Sequence, residues 1–160
     1  MAQLLVVDDE PSIVWALTRL GRELGHEVSS ASSAEQALGV VETVTPDVVM
    51  LDVRLPGIDG LAAMERFRAK CPLAPLLIMT AYGDLQTAVT AVRNGAFEYL
   101  VKPFDLAKVQ RALERALASR QRPMPRPPRA EVIGGLVGRS PAMQEVFKRI
   151  ALAAAADIAV

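Results

Sequence analysis

The stretch from Pro46 to Gly60, PDVVMLDVRLPGIDG, constrains this chain more than any other. Val48, Val49, Met50 and Leu51 run without interruption into the carboxylate of Asp52, and Pro56, Gly57, Asp59 and Gly60 then break the chain into a loop. An unbroken aliphatic run of this length, bounded by turn residues, predicts a strand buried on both faces, the kind found in parallel sheets. Asp52 then stands at the carboxyl rim of that strand, where open α/β sheets bind their ligands. Alone, an Asp after a strand more often just begins a turn. What else reaches the same edge decides between the two readings.

The same logic repeats along the chain. Leu4 to Val7 is a second apolar run ending in carboxylates, Asp8, Asp9 and Glu10, with Pro11 and Ser12 as a helix start. That helix carries Ile13, Leu17, Leu20 and Leu24 on one face and Gly25 at its end, which leaves Trp15 off the stripe, its ring exposed or half-exposed. Glu27 to Ser30 reads as a short, weak edge strand, and Ser33 with Gln36 as a capping box for the next helix. After the central stretch, Leu61, Met64 and Phe67 mark a helix that ends by Pro72. Leu76 to Met79 is a fourth strand finishing on Thr80, Asp84 caps a helix that Gly95 closes, and Glu98 to Val101 is a fifth strand followed by Lys102. Asp105 caps a last helix with Leu106, Val109, Leu113 and Leu117 on one stripe. Five strands alternating with helices predict an α/β fold, a parallel sheet wrapped by helices.

Composition excludes several classes. The 160 residues, 51% hydrophobic and 22% charged, are globular in character. No apolar run approaches the roughly 20 residues of a membrane span and the start has no leader features, so a soluble, cytoplasmic protein with no membrane partner is expected. One cysteine, Cys71, rules out an internal disulfide framework and a cysteine-rich zinc site. His26 is the only histidine, which argues against histidine-based nucleophile activation; after Gly25 it reads as a solvated turn residue. Charge divides the chain near residue 120, with a net −4 over 1–119 and +4 over 120–160.

The segment from Arg120 to Arg129, RQRPMPRPPR, cannot continue a helix and has nothing to bury, so 120–132 reads as an extended linker. Its arginines lack aromatic interleaving, which favours a solvated tether over a nucleic-acid site. From Pro141 a new helix opens with Met143, Val146, Phe147 and Ile150 on its apolar side, and Asp157 to Val160 resembles an unfinished strand. So short a remainder forms no independent core of this kind.

In a parallel sheet, Asp8, Asp9, Asp52, Thr80 and Lys102 all emerge on one side. Crowded carboxylates repel and favour a hard divalent cation, and Mg2+ suits so open a rim. A carboxylate nucleophile, a cation and a lysine make a site for a phosphoryl group: positive charge neutralises its oxygens while an Asp52 oxygen attacks phosphorus, giving an aspartyl phosphate. The Thr80 hydroxyl can then donate to a phosphoryl oxygen.

These residues also carry a family resemblance. VVDDE, LDVRLPGIDG, MTAY and VKPF, in this order, resemble the receiver domain of two-component response regulators over residues 1–119. The resemblance implies a five-stranded doubly wound, flavodoxin-like sheet of order 2-1-3-4-5 with helices on both faces. It further implies that Asp52 accepts phosphate from a sensor histidine kinase, and that Asp8, Asp9, Asp52 and the backbone carbonyl of Arg54 hold Mg2+. Thr80 and Tyr99 match the switch pair, and Lys102 the invariant ammonium before a cis peptide to Pro103. PSIVWAL, MTAYGDLQTAV and NGAFEYLVKPFDL resemble the nitrogen-regulatory, sigma-54-dependent type within that family. Residues 133–160 are then similar to the incomplete opening of an AAA+ ATPase domain. GGLVGRS lacks the GxxxxGK[ST] spacing, so no ATPase site is expected in this chain.

The implied function is a phosphorylation switch that accepts phosphate and loses it slowly, not a turnover enzyme. Phosphate at Asp52 gives Thr80 and Lys102 new partners, Tyr99 turns inward, and the face built from the Leu85–Asn94 helix and the Tyr99 strand changes its contacts with a second receiver or with the parent's AAA+ domain. Contact with sigma-54 RNA polymerase and DNA would belong to domains beyond these residues. Two alternatives stand beside it: a degenerate receiver serving only as an interaction module, and an Asp-nucleophile phosphatase, whose DxD signature is missing because Arg54 follows at the second position.

Overall fold

Each short apolar run becomes a strand because its residues alternate between two helical layers and both faces are buried. The structure, a computed structural model, describes residues 1–81 and 83–120. Strands β1 (Gln3–Val7), β2 (Glu27–Ala31), β3 (Val48–Asp52), β4 (Leu76–Thr80) and β5 (Glu98–Val101) alternate with helices α1 (Pro11–Glu23), α2 (Ala34–Val40), α3 (Gly60–Lys70), α4 (Leu85–Arg93) and α5 (Leu106–Ser119). They form one parallel sheet of order β2-β1-β3-β4-β5, the doubly wound arrangement implied by the family resemblance. Its linker and tail counterparts, 121–132 and 133–160, lie outside the described residues.

Alternation along the strands divides the core in two. Leu5, Val7, Val49, Leu51 and Ile78 pack against α2, α3 and α4 through Leu38, Met64 and Phe67. Leu4, Val6, Met50, Leu77 and Met79 pack on the other face against α1 and α5 through Leu17, Val109 and Leu113. Phe67, Met64 and Leu17 are fully buried, and each such side chain contributes about 1.5–3 kcal/mol. Edge strand β2 is only partly covered, as its weak pattern predicts.

The helix starts follow the expected chemistry with one shift. The Asp84 and Asp105 side chains accept the Thr87 and Ala107 N–H groups at 2.8 and 3.0 Å. Ser33 Oγ accepts from Gln36 N, but Gln36 Oε1 reaches back to Ser32 N at 2.9 Å, closing the box one residue earlier than expected. Trp15 is exposed, with the Arg19 guanidinium 5.5 Å over its ring.

Two expectations need correction. Leu106 is exposed and not on the buried stripe of α5, because the first turn of α5 starts at the sheet's rim and not over it. His26 is half-buried: its Nδ1 accepts the Ala2 N–H at 3.3 Å, and burial together with the positive amino terminus holds it below the usual histidine range. At the same end of the sheet, Asp47 accepts the Gln3 N–H at 2.6 Å and also pairs with Arg120, the last described residue.

Candidate functional site

The site is built by strand ends. In the β1–β3 ladder Val7 lies opposite Leu51, so Asp8 and Asp52 follow side by side at the carboxyl edge. On the other flank Thr80 ends β4 opposite Val101, and Lys102 N donates to Thr80 O at 2.7 Å, fixing where the lysine leaves the sheet. The Lys102–Pro103 peptide is cis. Beneath Asp52, the first turn of α3 approaches so closely that a Cβ on Gly60 would lie 2.0 Å from the Asp52 carbonyl oxygen. Gly60 N donates to Val53 O at 2.9 Å, and only a residue without a side chain permits that contact.

Asp8, Asp52 and Thr80 are the buried polar residues of the described chain, whereas Asp9 is exposed. One carboxylate oxygen from each of Asp8, Asp9 and Asp52 falls within 4.8 Å of the others. Lys102 Nζ enters this cluster 2.7 Å from Asp8 Oδ2, 3.0 Å from Glu10 Oε1 and 3.3 Å from Asp52 Oδ2. Asp8 Oδ1 accepts the Glu10 N–H at 2.9 Å, while Asp52 Oδ1, buried, accepts no well-formed hydrogen bond among the described residues.

Electrostatics follow from this packing. Burial raises the Asp52 pKa, helped by Asp8 and opposed by Lys102 and the Arg54 backbone N–H, and the net shift is upward. For Lys102, burial works against the charge, but hydrogen bonds to Asp8 and Glu10 and the field of Asp52 and Asp8 prevail, and its pKa is pushed up to about 12. Tyr99, opposite Ile78 in the β4–β5 ladder, is buried in the core beside α4, and burial and the Asp84 carboxylate hold its hydroxyl above the usual range.

Of the sequence-predicted residues, Asp8, Asp9, Asp52 and Lys102 are therefore brought together, with Thr80 on the same edge. Arg54 is two residues past Asp52 in the loop, and Tyr99 points into the core. Tyr82, the last residue of the MTAY motif, lies outside the described residues. Sequence reasoning missed Glu10, which meets Lys102 across 92 residues of chain. It also missed Glu35, whose Oε1 accepts the Ile58 N–H at 3.0 Å and steadies the loop after β3. A third consecutive carboxylate was the available signal for Glu10; Glu35 carried none.

Three carboxylates around one ammonium, with Asp9 beside them, leave an excess of negative charge, a donor set for a hard cation and an electrophile with anionic oxygens. Residues 4–114 match the family model described as response regulator receiver domain. The chain belongs to that family. Among its relatives, the DNA-binding transcriptional regulator NtrC of Salmonella typhimurium is 39% identical over 158 residues, 97% of this chain and 34% of that protein. The transcriptional regulatory protein ZraR of Escherichia coli is 41% identical over 158 residues, 98% of this chain and 36% of that protein. The chain thus spans about a third of the length of these curated relatives. Among solved structures, a response regulator protein from Burkholderia pseudomallei with a phosphorylated aspartic acid, calcium ion and citrate superposes with a TM-score of 0.68 at 28% identity, over 76% of this chain and 71% of that one. Receiver domains are phosphoacceptor switches with an acidic pocket for Mg2+, and in this structure Asp8, Asp9 and Asp52 form an acidic cluster. No described helix is long and apolar enough to cross a membrane.

Proposed function

We propose that Asp52 is the phosphoacceptor of this receiver, taking its phosphoryl group from a sensor histidine kinase and thereby controlling a sigma-54-dependent activator of which this chain is the input portion. The observation that carries the reading is the buried Asp52 carboxylate, one oxygen against Lys102 and the other without a well-formed hydrogen bond, at an edge shared with Asp8 and Asp9. An oxygen of that carboxylate is the nucleophile. It forms the new O–P bond as the P–N bond to the kinase histidine breaks and the imidazole leaves with the electron pair. Lys102 turns an N–H toward a phosphoryl oxygen, and the Thr80 hydroxyl donates to another.

The donor set fits Mg2+. Asp8, Asp9 and Asp52, with the backbone carbonyl of Arg54, would hold it, and the ion would supply positive charge against the phosphoryl oxygens. For the output, Tyr99 already lies inward in this structure, so the expected inward turn is revised: the inward arrangement belongs to the protein's own repertoire, and phosphate shifts its population. The face of α4 and β5 then presents altered contacts to a second receiver or to an AAA+ domain in the parent protein, with 120–132 as tether and 133–160 as the opening of that domain. Promoter and polymerase contacts belong to the parent, which on this reading works in the cytoplasm.

The test is intact mass after incubation with Mg2+ and acetyl phosphate. A gain of about 80 Da that Asp52→Asn abolishes supports the reading. No gain where Mg2+ binding is demonstrated, or a gain that persists in Asp52→Asn, overturns it.

A further inference from the structure

Lys102 has more partners than the proposed chemistry can use. An ammonium has three N–H donors. Three carboxylates lie within 3.3 Å of this one, those of Asp8, Glu10 and Asp52. The ammonium is hydrogen-bonded to Glu10 and Asp52 and ion-paired with Asp8, so an arriving phosphoryl group must displace one of these contacts to share Lys102 fully.

The three contacts differ in how readily they part. The Asp8 and Asp52 side chains are 0% and 4% exposed, whereas that of Glu10 is 55% exposed. Glu10 occupies the N-cap position of α1 yet makes no side-chain cap bond, so its carboxylate has no structural duty there. Its backbone N–H is held by Asp8 Oδ1. A pinned backbone carrying a solvent-facing arm can swing away while the buried carboxylates stay in place.

We propose that Glu10 is a latch on Lys102, a positioning residue whose carboxylate competes with the incoming phosphoryl group for the ammonium and so slows acceptance at Asp52. The inference rests on the reading of Asp52 as phosphoacceptor. Because the latch acts after the donor has docked, it lowers the maximal rate and leaves the half-saturating donor concentration unchanged; simple repulsion of an anionic donor would do the reverse.

The test measures the initial rate of mass gain on the full chain against acetyl phosphate concentration at saturating Mg2+, for the native protein and for Glu10→Ala, Glu10→Gln and Glu10→Asp. The first two should raise the maximal rate about two- to five-fold, the range set by an ion pair with one solvent-exposed member. Glu10→Asp separates contact from field: it keeps the charge but is one methylene too short to hold Lys102, and should behave as Glu10→Ala. Native rates in all three variants, or native behaviour of Glu10→Asp with a shifted half-saturation in the others, overturn the latch. If the native protein itself gains no mass, it is the phosphoacceptor reading that fails. Far-UV circular dichroism of each variant checks the fold, which an exposed side chain should leave intact.

Discussion

Removing the ammonium while keeping the stem, as in Lys102→Met, tests how far this site is held by charge. Lys102 Nζ lies 2.7 Å from Asp8 and 3.3 Å from Asp52, with all three side chains at most 7% exposed. At an effective dielectric of about 20 these two attractions come to about 6 and about 5 kcal/mol. Desolvating the ammonium costs several kcal/mol, which the variant recovers. What remains is the expense of leaving buried carboxylates without a counter-charge, about 3–5 kcal/mol, and exposed Glu10 adds at most about 1 kcal/mol. Urea denaturation at pH 7 with EDTA should therefore show Lys102→Met less stable by at least about 3 kcal/mol. Adding Asp52→Asn to it should return part of that loss, since one of the repelling carboxylates is gone. A Lys102→Met loss under about 1 kcal/mol, or strictly additive effects of the two substitutions, would refute the reasoning. Because the folded Lys102 pKa is raised to about 12, its stabilisation is complete below the unfolded lysine value near 10.4 and disappears as pH rises through about 12.

Asp52 follows the same sign in a lower pH range. Its folded pKa is raised, so the stability it contributes is present below the unfolded value near 3.9 and is lost as pH rises through the folded value. Asp52→Asn avoids that loss and should gain on the native protein between pH 3.5 and pH 7 in metal-free denaturation; an equal gap at both pH values would contradict this. Gly60→Ala, whose Cβ would meet the Asp52 carbonyl at 2.0 Å, should cost about 3 kcal/mol by forcing β3 and α3 apart, while Gly39→Ala in α2, with nothing within 4 Å, should gain about 0.5–1 kcal/mol. Thermal melts that rank the two glycine variants the other way would show the close approach to be unimportant.

Much of this was legible because the strands are continuous apolar runs and the loops after them begin with carboxylates. Val48 to Asp52 reads as a central strand for the same reason that it is fully buried: neighbours on both sides and helices on both faces. Parallel topology alone then sends Asp8, Asp52, Thr80 and Lys102 to one edge. What could not be read was contact between distant side chains. Glu10 looks like the start of a turn until Lys102 arrives from the far end of the domain, and His26 looks solvated until Ala2 closes over it. Leu106 fits a periodic stripe, but periodicity does not say where the sheet beneath the helix ends. The burial of Tyr99 in the core depends on what β4 and α4 pack around it, which no local pattern encodes.

The most direct test of the central claim is to locate the phosphoryl group. Borohydride reduces an acyl phosphate to the alcohol, so an aspartyl phosphate becomes homoserine, which peptide mass spectrometry can place. After treatment with Mg2+ and acetyl phosphate, conversion should appear at residue 52 and at neither Asp8 nor Asp9. Conversion at Asp8 or Asp9, or none anywhere in protein that demonstrably binds Mg2+, would contradict the account.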